Sequence, residues 1–306
     1  MENYSEKIAR IIAASGLSQH KVADRLGFSI VTLNRWANGK ATPRPAAMRK
    51  IDLLYAEFLG SDEIEKSKVA KIKKIALTKK FSLNKLVSSR EILDRLTVNL
   101  TYHSNATEGS TMTEKDVEAV IFDNKVLKNR TAIEQREAIN HQTALHFLLD
   151  ELQSQGRDFS FTPDLVKATH LRLTNGVMSD AGEYRRTPAR IRGANVPLAN
   201  FIKIPELVKL WCDRANEETA DVITKLAVSH AEFEKIHPFA DGNGRTGRLL
   251  MFVMALHLKI VPPVLKKERR SAYYKYLALC QTRELSDPLE KIIAEAIIET
   301  SELIEK

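Results

Sequence analysis

The chain has 306 residues, with 47 Lys and Arg against 39 Asp and Glu, a formal net charge of +8, and 43% apolar residues. That length exceeds an ordinary single domain and that apolar share fills a core, which excludes a low-complexity or extended chain. Two cysteines, Cys212 and Cys280, lack metal-site spacing and read as reduced thiols; no apolar run reaches spanning length and the polar start is no leader, so a cytoplasmic chain without a membrane partner is expected.

The whole basic excess lies in residues 1–80, which carry a net +8, while residues 81–306 are balanced. The front of that segment has the pattern of two short helices and a tight turn. Ser18 is placed to cap the first, Val22, Ala23 and Leu26 form its inner face, Gly27 permits the turn, and Ser29 caps the second. Leu33 and Trp36 point inward; Ile30, Val31, Thr32, Asn34 and Arg35 lie more outward; Gly39 ends the helix and Pro43 stops it. These residues resemble the Cro/repressor (XRE-like) helix-turn-helix domain over roughly residues 4–58. The resemblance implies DNA as a partner of residues 1–60, with Gln19, Ser29, Val31, Thr32 and Arg35 as the candidate contacts. A small helical module that binds protein, or that holds the rest of the chain in place, is the other reading. The basic excess favours nucleic acid.

Residues 61–84 read as a connecting helix or linker. Ile64, Val69, Ile72 and Ile75 supply a helical period, and seven lysines fall between 66 and 80. An electrostatic footprint and a merely solvated lysine face explain that run equally well. Helical periods then recur at 92–109, 114–122, 131–154, 163–173, 205–216, 221–236, 246–258, 271–281 and 288–304, so the fold class is all-α. The exception is 182–200, where 187–197 alternates and turns like a β-hairpin.

The densest chemistry lies at His237-Pro238-Phe239-Ala240-Asp241-Gly242-Asn243-Gly244-Arg245-Thr246-Gly247-Arg248. Gly242 and Gly244 let the backbone approach an anion, and a Gly-rich loop opening a helix turns its free N–H groups outward. Arg245 and Arg248 share a helix turn, and guanidinium forks suit phosphate oxygens. Asp241 is a hard oxygen ligand of the kind that holds Mg²⁺ beside phosphates. His237 alone in the run titrates near neutrality, which suits a general base. Phe239 anchors the loop.

This run resembles the H-x-F-x-[DE]-G-N-G-R-x-x-R signature of Fic domains at every specified position. The similarity extends from 132–145, through 170–185, to 270–281, and covers roughly residues 85–300. It implies a Fic domain at 85–306, a helical core with a small β-hairpin flap. The implied activity is protein adenylyltransferase: AMP passes from ATP to a Ser, Thr or Tyr hydroxyl of a protein target or of the chain itself. His237 is then the base and Asp241 the Mg²⁺ ligand. Gly242, Asn243, Gly244, Arg245 and Arg248 hold the phosphates, and Tyr274, Leu277 and Gln281 line the adenine site. The implied flap docks its target by strand pairing, with Pro188, Ile191, Gly193 and Val196 as candidates. Arg185, Arg186, Arg190 and Arg192 would make it basic.

Upstream, Ser104-Asn105-Ala106-Thr107-Glu108-Gly109 resembles the S/T-x-x-x-E-G/N inhibitory motif of autoinhibited Fic proteins, with Ser110 where Asn often follows. The resemblance implies that Glu108, on a helix around 92–109, pairs with Arg248 and blocks productive ATP binding. Glu108 as a solvated residue of the last turn, or as an activator of water for AMP removal, remains open. So does a different class of protein, a transcriptional regulator whose Fic fold senses nucleotide. The intact His237 favours the enzyme. A homo-oligomer is also left open.

Overall fold

The structure is a computed structural model that describes residues 3–15, 17–59, 66–190 and 196–305. The chain divides into two compact units, Met1–Lys66 and Ser67–Lys306.

The first unit holds α1 (Tyr4–Ser15), α2 (Gln19–Leu26), α3 (Ile30–Ala37) and α4 (Pro45–Leu59). Ser18 accepts from the Lys21 amide and Ser29 from the Thr32 amide, so both short helices start on side-chain caps. Gly27 ends α2 in the left-handed region at φ 74°. Ile8, Ile11, Val22, Leu26, Leu33, Trp36 and Ile51 close one small core. Ile30 packs half-buried against that core rather than outward. Gln19, Ser29, Val31 and Arg35 are exposed and Thr32 is half-exposed; Val31 keeps 65% of its surface.

The second unit holds α5 (Lys66–Thr78), α6 (Leu83–Val87), α7 (Arg90–Thr107), α8 (Glu114–Ile121), α9 (Ala132–Gln155), α10 (Pro163–Thr174), α11 (Ile204–Asn216), α12 (Val222–Ile236), α13 (Asn243–His257), α14 (Arg270–Arg283) and α15 (Asp287–Ile304). Its centre is α13, whose residues from Leu249 to Leu256 are all buried. A helix apolar on every side belongs inside a core. It is packed by α12, α10, α9 and α7, and α12 in turn meets α11, α14 and α15. The basic helix α5 is built into this unit. Val69 and Ala76 are buried, and Lys73 Nζ bonds Asp221 at 2.6 Å and also reaches Glu290 and Thr224. Lys68, Lys71 and Lys74 remain exposed.

The expected β-hairpin over 182–200 is not found: no strand occurs among the described residues, and 186–190 and 196–200 carry no regular structure. Ile191, Arg192 and Gly193 lie outside the described residues. One side chain explains why the stems do not pair. Arg185 is buried rather than part of a basic surface, and its Nη1 and Nη2 donate to the carbonyls of Thr187 (2.8 Å) and Ala199 (2.6 Å), one on each stem. Those carbonyls are thus spent on a guanidinium instead of a ladder. Pro188 and Pro197 remove two further donors. No helix among the described residues is long and apolar enough to cross a membrane.

Candidate active site

The loop between α12 and α13 is held in shape by its own residues and by α10. His237 ends α12 in the left-handed region, φ 50° and ψ 62°. Phe239 is fully buried and stacks on His170 of α10, centroids 3.6 Å apart and rings 1° from parallel. Asn243 donates to the Phe239 carbonyl and accepts from its amide, both at 2.9 Å. Its side chain therefore staples the loop, while its backbone amide opens α13. His170 Nδ1 accepts from the Gly182 amide at 2.9 Å, so its Nε2 carries the proton and donates to the Asp241 carbonyl at 3.0 Å. Burial lowers the His170 pKa to about 4, which keeps the ring neutral and this arrangement intact at neutral pH. Arg185 closes the other side through Nε to the His237 carbonyl at 2.7 Å. Neither His170 nor Arg185 carries a local sequence signal for a part in shaping the loop.

These constraints aim His237. Its Nδ1 donates to the Glu234 carbonyl at 3.2 Å, which leaves the Nε2 lone pair free to accept a proton. Burial pulls its pKa below the usual histidine value, so the free-base form is the resting one.

Gly242, at φ 76°, begins α13, and no side chain caps that helix start. The first-turn amides together with the helix dipole make a ready anion site. A Cβ on Gly244 would overlap Glu108 Oε1 and sit 3.0 Å from Arg248 Nη1, so the close approach there requires glycine. Asp241 Oδ1 accepts from the Gly242 amide at 2.6 Å, and its side chain is 76% exposed, leaving an oxygen directed to solvent.

The two arginines part company. Arg245 bridges the loop to α9: its Nη1 donates to Glu137 at 2.5 Å, and its Nη2 lies 3.8 Å from Asp241 Oδ2. Arg248 is buried. It donates through Nε to Ser104 Oγ (3.0 Å) and through Nη2 to the Ser104 carbonyl (3.0 Å) and Glu108 Oε1 (2.6 Å), while Nη1 is buried with no hydrogen-bond partner among the described residues. Glu108 Oε2 accepts from Tyr274 at 3.3 Å. Burial raises the Glu108 pKa, but the charge and hydrogen bond of Arg248 outweigh it and hold the carboxyl below its ordinary value. Gly109, at φ 111°, lets the chain leave α7 directly behind this pair.

His237, Asp241, Gly242, Asn243, Gly244 and Glu108 line one cavity of about 500 Å³, closed on the far side by Tyr274, Leu277 and Gln281 of α14. Val196 and Arg190 reach its rim, whereas Pro188 lies in a different depression beside Ala199 and Phe201. Gln281 is tied down by a bond from its amide to the Ala231 carbonyl at 3.1 Å. Glu234, which the sequence reading passed over, lies in the wall of the same cavity. Among the described residues, no three His, Cys, Asp or Glu side chains form a metal cluster.

Residues 160–255 match the Fic/DOC family, and residues 7–56 match a helix-turn-helix family. The chain is 29% identical over 186 residues to the protein adenylyltransferase fic-1 of Caenorhabditis elegans, covering 60% of this chain and 36% of that one. It is 28% identical over 266 residues to the protein adenylyltransferase Fic of Nematostella vectensis, covering 85% and 59%. The chain thus spans less than two thirds of the length of either relative. Among solved structures, C. elegans Fic-1 (residues 134–508) superposes with a TM-score of 0.68 at 22% identity over 96% of this chain and 97% of that one. A Fic domain containing signaling protein from Bacteroides thetaiotaomicron gives 0.63 at 20% identity, over 78% and 95%. The helical core, with His237 and the start of α13 in one cavity, and these matches show that the chain carries a Fic domain behind an amino-terminal helix-turn-helix domain.

Proposed function

We propose that the chain is a protein adenylyltransferase held off by Glu108. The observation that supports this most strongly is the Arg248–Glu108 pair: Glu108 lines the cavity of a neutral His237 beside the start of α13, and buried Arg248 holds it there. In the proposed reaction a Ser, Thr or Tyr hydroxyl of a protein target, or of the chain itself, attacks the α-phosphorus of ATP. Its proton passes to His237 Nε2, the new O–P bond forms, and the bond to the β-phosphate breaks to release pyrophosphate. The Gly242–Gly244 segment and Arg248 cradle the phosphates. Asp241, with an oxygen open to solvent, fits a Mg²⁺, which would neutralise phosphate charge if held there. Arg245 contributes indirectly, through its ties to Glu137 and Asp241.

Glu108 occupies the guanidinium that the terminal phosphate needs. A charge-assisted bond of this kind contributes about 1.5–3 kcal/mol, equivalent to one to two decades of productive binding. The first unit adds DNA binding: Gln19, Ser29, Val31, Thr32 and Arg35 form its outward face, and the basic residues supply the non-specific attraction. Label transfer from ATP with Mg²⁺ tests the activity. Glu108→Gly is expected to label, and the same chain with His237→Ala is not; equal labelling by both would remove His237 as the base. A gel shift on DNA at several salt concentrations tests the first unit, and no shift at low salt would reject DNA binding.

A further inference from the structure

Glu234 is a buried carboxyl that the proposed reaction leaves unused. It is 5% exposed, and its Oε1 is fully buried with no hydrogen-bond partner among the described residues. Its Oε2 stands 3.8 Å from His237 Nδ1, but that nitrogen already gives its proton to the Glu234 backbone carbonyl. A buried acceptor without a partner costs stability, and Glu234 lies in the cavity wall, so a turn of its carboxyl toward a ligand hydroxyl would recover that cost. An apolar side chain would fill the same place without that cost.

Its position along α12 identifies which part of a nucleotide it meets. Ala231, one turn earlier, holds Gln281 of the α14 wall, and His237, one turn later, adjoins the phosphate cradle. At 1.5 Å rise per residue, Glu234 lies about 4.5 Å along the axis from each. With the base against Leu277 and Gln281 and the phosphates at Gly242 to Gly244, the sugar spans that interval. We propose that Glu234 is a specificity residue that hydrogen-bonds a ribose hydroxyl of the bound nucleotide and so favours ribonucleotides over their deoxy analogues. The inference rests on the nucleotide reading above. Protonation fits it. Burial pushes the Glu234 carboxyl up to about 8, against the pull of Arg248 and with the help of Glu108, so at neutral pH it is mainly the neutral acid. A neutral carboxyl stands beside a polyphosphate without repulsion and offers a hydroxyl both a donor and an acceptor.

The test is calorimetric binding of ATP, 2′-deoxy-ATP and 3′-deoxy-ATP to the full chain carrying Glu108→Gly, with and without Glu234→Leu or Glu234→Asp. The parent is expected to prefer ATP to at least one deoxy analogue about tenfold, the worth of one hydrogen bond. Glu234→Leu removes the carboxyl, and Glu234→Asp withdraws it by one methylene. Either is expected to weaken ATP about tenfold, leave the deoxy analogue unchanged and abolish the preference. A parent that binds ATP and both analogues equally, or a folded variant that keeps the preference, overturns the role of Glu234 while leaving the nucleotide site standing. If Glu234→Leu fails to fold, the parent and Glu234→Asp decide the matter. A parent that binds none of the three nucleotides overturns the nucleotide reading itself, and this inference with it.

Discussion

Gly244→Ala tests the inhibitory contact without altering either of its partners. Gly244 lies in the first turn of α13, and its φ is not in the left-handed region, so alanine fits the backbone and should by itself favour the helix by about 1 kcal/mol. The added methyl, however, is fixed by the backbone where it overlaps Glu108 Oε1 and lies 3.0 Å from Arg248 Nη1, so the flexible carboxylate, not the methyl, has to move. Glu108 must therefore leave Arg248. The loss of a charge-assisted bond, about 1.5–3 kcal/mol, is partly screened because the Glu108 side chain keeps 32% of its surface. Arg248 is left with Ser104 as its remaining partner. The net expectation is a destabilisation of about 1–2 kcal/mol, or roughly 2–8 °C in the melting of the second unit. In a Glu108→Gly background the obstruction is gone, and the same substitution should be neutral or stabilising by up to about 1 kcal/mol. The two changes thus couple by about 2 kcal/mol in a double-mutant cycle. Chemical denaturation followed by Trp211 emission, with Trp36→Phe silencing the first unit, reads this directly. Simple additivity would refute the placement of Glu108 over Gly244.

Other consequences are independent of that cycle. Glu108→Gly should raise AMP transfer about 10- to 100-fold, the equivalent of the lost pair, and an unchanged rate would reject the brake. Because burial lowers the His237 pKa, the acidic limb of the kcat/KM profile of Glu108→Gly should fall below pH 6.5; removing Glu108 also removes a charge that raised that pKa, which moves the limb further down. A limb at or above 6.5 would exclude His237 as the titrating base. Arg185→Ala should cost about 3 kcal/mol, since it strands the carbonyls of Thr187, Ala199 and His237, and a loss under 1 kcal/mol would deny it a structural part. Arg35→Glu should abolish a gel shift that wild type gives at low salt, by placing a carboxylate on the exposed face of α3; a retained shift would move the DNA contact elsewhere.

The loop from His237 to Arg248 was legible because its chemistry lies in residue types at fixed short spacing. The short helices of the first unit were legible for a similar reason, since caps and a turn glycine are local signals. What the sequence did not reveal depends on partners far along the chain. Arg245 and Arg248 look equivalent in sequence, yet Glu137 of α9 takes one and Ser104 and Glu108 of α7 take the other. The resemblance put Asn243 among the phosphate-holding residues, and what it did not reveal is that the side chain is bound to Phe239. The hairpin pattern at 187–197 lost to Arg185, whose role depends on carbonyls that only the fold brings within reach. Glu234 resembles any charged residue one turn before a functional histidine; only its burial and its unpartnered oxygen distinguish it.

The proposed activity has two halves: the cavity transfers AMP from ATP, and Glu108 restrains the transfer. Glu108→Gly protein incubated with Mg²⁺ and ATP labelled on either the α- or the γ-phosphorus tests both halves, with wild type alongside. Protein-bound label is expected from the α position only, far stronger in the variant than in wild type. Label from the γ position, or no label from either in the variant given a broad set of protein targets, would contradict it.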